Sequence, residues 1–210
     1  VSGMRGGLTA RSARHGEATV QRNLKEMAEA TEAFCNSNGC TRLVLGGTES
    51  NVSQFHDTLP KALQGKVIGT FTIDADASVN EIQMLSMDII ERVAEEREVE
   101  LVEEMIARWR RGNGSAVGLS DTLASLQEHR VAILLIAAGF EASGYRCQNC
   151  RYLMLTEREE CPLCGGEVRH VTDLVETMTH RALEQGVEVE IVRGNVALED
   201  AGSVGALLRY

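Results

Sequence analysis

The sequence of 210 residues lacks the features by which membrane-spanning and secreted proteins are recognised. No apolar run approaches the roughly 18 residues that a membrane-spanning helix needs. The N-terminal stretch is basic and rich in glycine, without the apolar core of a signal peptide. These absences exclude a transmembrane helix and lead us to expect a cytoplasmic protein. Because the chain starts at Val1 instead of methionine, we also expect it to be part of a longer protein.

Motifs of the common enzyme classes are missing as well. The sequence contains no phosphate-binding P-loop, no histidine-glutamate metalloprotease pair and no nucleophile elbow. No internal repeat or low-complexity segment is present either. The residues therefore point to no conventional active site.

Net positive charge is also lacking, since 21 Lys and Arg against 31 Asp and Glu give a formal charge of −10. This total argues against a surface that binds nucleic acid generally. The first 25 residues differ, because they carry one acid and five basic residues: Arg5, Arg11, Arg14, Arg22 and Lys25. Such a basic arm is either a local phosphate-binding surface or a solvated loop, and charge alone leaves both interpretations open.

Hydrophobic periodicity predicts an α/β fold with two small domains, residues 1–111 and 118–210, joined by a flexible linker at 112–117. In the first domain we predict helices over 16–38, 50–63 and 80–111 and strands over 42–45 and 66–73. In the second we predict helices over 121–129 and 172–185 and strands over 131–136, 187–191 and 206–210. The apolar stripe of the first helix is predicted to be Val20, Leu24, Met27 and Phe34. The mixed charges between Glu91 and Glu104 are typical of a solvated helix face, to which we assign no chemistry.

Four cysteines form two C-x-x-C pairs, Cys147 with Cys150 and Cys161 with Cys164, separated by ten residues. A two-residue spacing lets a tight turn aim both sulfurs at one point, and two such turns complete a tetrahedron around zinc. A redox centre would need one pair only, and disulfides are not expected in a reducing compartment. The spacing therefore predicts one structural Zn²⁺ in a ribbon at 145–168, because four protein ligands leave no open coordination position.

A glycine pair, Gly6 and Gly7, lies in a predicted loop directly before the first helix. Glycines permit backbone angles that side chains forbid and allow close approach to a ligand. Arg5 and Arg11 on either side would anchor neighbouring phosphates. Taken alone, the pair is a weak signal, because most such pairs are flexible tips.

The segment Arg5-Gly6-Gly7-Leu8-Thr9-Ala10-Arg11, followed by a long helix, resembles the peptide-release loop of eukaryotic and archaeal class-1 translation release factors. In that family the loop reads Arg-Gly-Gly-Gln-Ser. Residues 42–47 resemble the strand and glycine turn that follow the helix, and 118–123 and 205–210 resemble the opening and closing parts of the C-terminal domain. Archaeal members carry a cysteine zinc ribbon in the corresponding insertion. The sequence thus resembles the bacterial and archaeal release-factor-like proteins, relatives of these factors and of the rescue factor Pelota.

This resemblance implies a ribonuclease H-like first domain, present in part, and an α-β-α second domain with an inserted zinc ribbon. It implies that Gly6 and Gly7 shape a loop at the peptidyl-transferase centre, where the N–H of Leu8 stabilises charge on the peptidyl-tRNA ester. Arg5, Arg11 and Arg14 would contact ribosomal RNA. Leu8 replaces the family's glutamine, so the backbone donor is retained but the side chain that helps to position water is lost.

The function implied by the resemblance is that of a ribosome-directed release or rescue factor, with a translational GTPase as partner of the second domain. Peptidyl-tRNA hydrolysis is left open by the substitution at Leu8. Two alternatives also stay open: a catalytically inactive ribosome- or RNA-binding module of the same fold, and a scaffolding protein that works away from the ribosome.

Overall fold

The computed structural model describes the backbone of residues 6–209 and the side chains of residues 18–209. These residues form seven helices and nine strands. The helices are α1 (Gly6–Asn38), α2 (Glu49–Thr58), α3 (Lys61–Gln64), α4 (Val79–Arg110), α5 (Leu119–Gln127), α6 (Leu174–Glu184) and α7 (Val196–Asp200). The strands are β1 (Leu43–Gly47), β2 (Val67–Thr72), β3 (Ser115–Val117), β4 (Val131–Ala137), β5 (Gly144–Cys147), β6 (Leu153–Met154), β7 (Val168–Val171), β8 (Glu188–Val192) and β9 (Val204–Leu208).

The strands form three sheets, which confirm the predicted mixed α/β class. Strands β1 and β2 make a parallel pair. A four-stranded sheet has the order β3-β9-β4-β8, in which β8 runs parallel to β4 and β9 runs antiparallel to both of its neighbours. The third sheet is antiparallel, has the order β6-β5-β7 and carries the cysteine pairs at its ends.

The chain divides into two compact units, Val1–Val93 and Ala94–Tyr210. This division falls inside α4 and not at 112–117, where we predicted a linker. The second half of α4 buries Leu101, Val102 and Met105 in a core of the second unit, so it belongs there although it is continuous with the first half. Part of the predicted linker forms strand β3, which pairs with β9.

In the first unit, α2 and α3 connect the two parallel strands, and the helices pack over them around Leu45, Leu59 and Leu63. Helix α1 begins at Gly6 instead of residue 16. The predicted stripe of α1 was partly wrong, because Val20, Met27 and Phe34 are 47%, 55% and 63% exposed. The buried face of α1 is instead one residue further along the helix and consists of Leu24, Ala28 and Cys35.

In the second unit, the four-stranded sheet separates two apolar cores because successive strand residues point to opposite faces. On β4, Leu134 and Ile136 pack with α5 and α6, whereas Leu135 and Ala137 pack with the second half of α4. Both faces of β4 are therefore covered, as its continuous apolar sequence predicts. The short helix α7, which the sequence analysis missed, adds the fully buried Leu198 to the second core.

The charged segment of α4 does more than face solvent, contrary to our prediction. Arg97 donates to Glu188 at 2.6 Å and to Glu190 at 3.2 Å, both on β8. Glu98 is buried and accepts a hydrogen bond from the backbone N–H of Arg193 at 2.8 Å. These contacts tie α4 to the edge of the sheet. Among the described residues, neither α4 nor any other helix has the length and apolar character needed to cross a membrane.

Candidate metal centre

The structure brings the four predicted cysteine ligands together in the second unit. Their sulfur atoms all lie within 4.8 Å of one another. The Sγ atoms of Cys147 and Cys164 are 3.5 Å apart, as are those of Cys150 and Cys161. A tetrahedral Zn–S₄ site with bonds of about 2.3 Å needs sulfurs about 3.8 Å apart. The four thiols can therefore hold one metal ion, and their number and spacing fit zinc.

The first cysteine pair follows strand β5 and forms a tight turn around one sulfur. The backbone N–H groups of Asn149 and Cys150 both lie 3.4 Å from Sγ of Cys147. The turn is closed by a hydrogen bond from the Arg151 N–H to the Cys147 carbonyl at 3.1 Å. Donors of this kind stabilise a thiolate and orient it towards a metal ion.

The second cysteine pair is closed by two glycines, Gly165 and Gly166. Gly165 has a φ of +67°, which a residue with a side chain adopts only at a cost, and its N–H donates to the Cys161 carbonyl at 2.8 Å. The Cys161 N–H in turn donates to the Gly166 carbonyl at 2.9 Å. These bonds fold the chain back so that Cys164 faces the first pair.

Hydrogen bonds prepare one of the four thiols for ionisation. The backbone N–H of Gly166, together with the Cys150, Cys147 and Asn149 side chains, lowers the pKa of Cys164 to about 6, although burial opposes the shift. The pKa of Cys150 moves the other way, to about 12: the backbone N–H of Tyr152 lowers it, but burial and the neighbouring sulfurs outweigh that effect. The metal must therefore displace a proton from Cys150, whereas Cys164 is already a thiolate at neutral pH.

The three-stranded sheet that carries the cysteines, which we call the ribbon (β5, β6, β7 and the two cysteine turns), is fixed to the core of its unit. Leu153 on β6 is 1% exposed and belongs to the main core cluster. Its N–H donates to the side-chain carbonyl of Gln127 on α5 at 2.8 Å. The rings of Tyr145 and His170 meet edge to face, with centroids 5.4 Å apart. His170 thus packs on β5 and is not a metal ligand.

Asn149 is a contributor that the sequence analysis missed. Its side-chain Nδ2 lies 3.6 Å from Sγ of Cys164 and therefore links the first cysteine turn to the second. The only signal in the sequence is its place between Cys147 and Cys150, where many residue types are found. Because the contact joins residues fifteen positions apart, local spacing did not identify it.

The glycine pair lies at the start of α1 and not in a loop before the helix, since α1 begins at Gly6. Gly7 and Leu8 are the second and third residues of that helix. Arg5 lies outside the described residues, as do the side chains of Leu8, Arg11 and Arg14. The assigned roles of these residues thus stay predictions.

The fold is similar to that of translation termination-like factors. A chain in a model of ribosome-bound archaeal Pelota and ABCE1 matches with a TM-score of 0.57 and 18% identity, over 90% of this chain and 49% of that chain. Dom34 of S. cerevisiae, a translation termination-like factor involved in RNA quality control pathways and interacting with Hbs1, matches with a TM-score of 0.55 and 9% identity, over 89% and 51%. The chain spans about half the length of these two proteins.

A family comparison defines the relationship more closely. Residues 3–98 match the bacterial archaeo-eukaryotic release factor family 10. The matched range includes the glycine pair and all of α1. The predicted resemblance to release-factor-like proteins is therefore confirmed. No curated protein matches the sequence.

Proposed function

We propose that the protein is a ribosome-directed factor of the release or rescue type that acts in the cytoplasm. The observation that carries this proposal is the family match over residues 3–98, which includes Arg5, the glycine pair and Leu8. The similarity in fold to Pelota and Dom34 supports the same class. The first unit is then a partial ribonuclease H-like domain, with Arg5, Arg11 and Arg14 directed at ribosomal RNA phosphates.

The chemical step of this proposal uses a backbone amide. Leu8 lacks the family's glutamine side chain but keeps its backbone N–H, the group that the resemblance places at the ester. Placed against the ester of peptidyl-tRNA, the Leu8 amide stabilises the negative charge that develops on the carbonyl oxygen during hydrolysis.

Zinc has a structural role in this proposal. Four thiolates saturate the tetrahedral ion and leave no position for water or substrate. Cys147, Cys150, Cys161 and Cys164 therefore hold the ribbon in shape and take no part in hydrolysis. The second unit, which carries the ribbon, is the proposed docking surface for a translational GTPase, and the interaction of Dom34 with Hbs1 supports a protein partner for a chain of this fold.

A second candidate function is favoured by one observation, the leucine at position 8. Without the family's glutamine side chain, nothing at this position orients the attacking water. The protein would then bind ribosomes without releasing the peptide. Co-sedimentation with ribosomes together with absent hydrolysis supports this second candidate.

Release of peptide from purified stalled ribosomes tests the first candidate. We expect Leu8→Ala to keep the rate, because it retains the amide, and Leu8→Pro to reduce it about 100-fold, because proline has no N–H. Gly7→Ala is expected to lower the rate as well, because it restricts approach to the ester.

The same experiment can contradict the proposal. Equal release by Leu8→Ala and Leu8→Pro would remove the amide from the mechanism. Absence of release by the unaltered protein would remove hydrolysis altogether, and absence of ribosome binding would remove the ribosomal function.

A further inference from the structure

A cavity of about 440 Å³ opens between the ribbon and helix α6 in the second unit. Three arginines from different elements line it: Arg146 from β5, Arg151 from the first cysteine turn, and Arg181 from α6. Arg146 and Arg181 are half-buried, while Arg151 is exposed at the rim. This concentration of positive charge stands out in a chain whose formal charge is −10.

The three guanidinium groups have no carboxylate partner within ion-pair distance in the part of the chain that the structure describes. Other arginines do, since Arg97 pairs with Glu188 and Arg169 pairs with Glu167. The charges of Arg146, Arg151 and Arg181 are therefore available to an anion. Glu184 is the one carboxylate among the residues that line the cavity, so three guanidinium groups face a single negative charge, and a bound anion would reduce their mutual repulsion.

The contacts of Arg181 hold this arrangement in place. Its guanidinium donates to the main-chain carbonyl of Arg151, which joins α6 to the first cysteine turn. Burial lowers the pKa of Arg181, and the charges of Arg146 and Arg151 lower it further, although Glu184 opposes them. The cavity thus gathers three positive charges that Glu184 offsets only in part, and a bound anion would offset them further.

The lining indicates which anion fits. The planar guanidinium fork matches the oxygens of a phosphate group. The Thr177 hydroxyl already donates to the Asp173 carbonyl and His180 lies 3.8 Å from the Glu176 carboxylate, so the arginines are the donors that the pocket offers. No Phe, Tyr or Trp lines the cavity, so it offers no platform of that kind for stacking a base. The rim is exposed, as a site for one phosphate of a long polymer requires.

We propose that this pocket binds a phosphodiester group of RNA through Arg146, Arg151 and Arg181. The choice of RNA rests on the proposed ribosomal function, whereas the recognition of phosphate rests on the pocket itself. A competing role for the same arginines is to neutralise the zinc site, since Zn²⁺ with four thiolates carries a net charge of about −2. The test must separate these roles.

The experiment measures binding of the zinc-loaded chain to a fluorescently labelled single-stranded RNA by anisotropy. Arg151→Gln is the informative variant, because it removes one charge and retains the carbonyl that accepts from Arg181. Arg158→Gln is the matched control, because Arg158 is also exposed in the ribbon but does not line the pocket. The basic arm near the N-terminus is unchanged in both variants, so any contribution that it makes to RNA affinity is the same in both.

We expect Arg151→Gln to bind RNA about fivefold more weakly at 0.1 M salt and Arg158→Gln to bind like the unaltered chain. The slope of log affinity against log salt should fall by about 0.7 for the lost phosphate contact. Zinc content, measured with a colorimetric chelator, should be equal in all three proteins. Because no ribosome is present, this experiment tests RNA binding by the pocket independently of the proposed peptide release.

Three results would overturn the proposal. Equal RNA affinity of Arg151→Gln and Arg158→Gln would show that the pocket does not contact RNA. Weaker binding accompanied by loss of zinc would assign the arginines to the metal site. Binding of inorganic phosphate in calorimetry without any RNA binding would leave a phosphate site but remove RNA as its ligand.

Discussion

Gly166 shows how closely single residues constrain the metal centre. A Cβ atom at this position would lie 2.9 Å from Cβ of Asn149, 3.2 Å from Sγ of Cys147 and 3.3 Å from Sγ of Cys164. The absent side chain therefore makes room for both cysteine turns. Its neighbour Gly165 has a positive φ but nothing within 4 Å of its added Cβ. Adjacent glycines thus serve different physical needs, one of space and the other of backbone conformation.

We expect Gly166→Ala to weaken zinc binding about 10- to 100-fold, because the alanine displaces groups that orient the thiolates. Gly165→Ala is the matched control, with an expected cost of about 1–2 kcal/mol in the free energy of unfolding and little change in zinc affinity. Competition with a chelator measures the affinities, and urea unfolding measures the stabilities. Equal zinc affinity of the two variants would contradict the steric argument.

The pKa of Cys164 gives the zinc affinity a specific pH dependence. Its depressed value of about 6 means that the thiolate is present above this pH and lost as pH falls through it. Each ligand that must lose a proton adds one unit to the slope of log affinity against pH. We therefore expect the slope to become steeper by about one unit below about pH 6. Asn149→Ala removes a hydrogen bond to Cys164 and should move this change to higher pH.

At this scale the sequence predicted the four ligands but not their neighbours. The cysteine spacing is local, and a tight turn translates it directly into geometry. Asn149 and Arg181 act through contacts with residues far along the chain, and the fold alone brings these together. The prediction for α1 was right at Leu24 but wrong at Met27 and Phe34, because Ala28 and Cys35 follow Leu24 at a spacing equally typical of one helix face.

At the scale of elements, the second half of α4 contributes one side of a core. Met105 is fully buried, and an added Cβ at Gly205 on β9 would lie only 2.2 Å from its Sδ atom. The methionine thus packs directly on the backbone of the sheet. Trp109, one helical turn beyond Met105, is 52% exposed, so the buried part of α4 ends before it.

We expect Met105→Ala to lower the free energy of unfolding by about 2–5 kcal/mol, because it leaves a cavity against β9. Met84→Ala on the first half of the same helix is the control, since Met84 is 72% exposed and its truncation should cost little. Chemical denaturation of both variants measures the difference. Similar midpoints would mean that α4 does not pack on the sheet as described.

We expect the ribbon to depend on a bound metal ion more than on apolar burial. Its main link to the core is Leu153, whereas strand β4 has apolar contacts on both faces. Removal of zinc with a chelator should therefore speed hydrogen exchange in β5 and β7 and leave the amides of β4 protected. Mass spectrometry of the exchanged peptides measures this. Uniform loss of protection across the second unit would contradict the prediction.

At the scale of the whole molecule, the division between Val93 and Ala94 determines which fragments should fold. Leu101 is the first residue along the chain that belongs to the apolar cores of the second unit. The glycines and polar residues at 112–115 suggested a linker, because such a composition is typical of flexible sequence. Composition does not show how the preceding helix, α4, packs. Composition and periodicity predicted the α/β class, while this division required the long-range contacts of α4.

We expect a fragment of residues 94–210 to unfold cooperatively and a fragment of residues 112–210 to be strongly destabilised. The shorter fragment lacks Leu101, Val102 and Met105 and exposes their partners Leu135, Leu198 and Leu207 to water. Circular dichroism during heating, with zinc present, compares the two fragments. Equal stability would place the division at the predicted linker instead.

Strand β9, the last of the described strands in chain order, lies between β3 and β4 in the interior of its sheet. Strand β9 pairs Leu207 with Ser115, two residues near opposite ends of the second unit. In the ribbon, Tyr145 pairs with His170, so the chain between the paired residues is much shorter. Closing the longer loop costs more entropy, and folding slows as such non-local contacts dominate. We therefore expect the ribbon to form before the four-stranded sheet, which is complete only when β9 has paired. Before that pairing, the edges of β3 and β4 that face β9 are exposed and can aggregate, so the slowest step in folding is also the step most prone to aggregation.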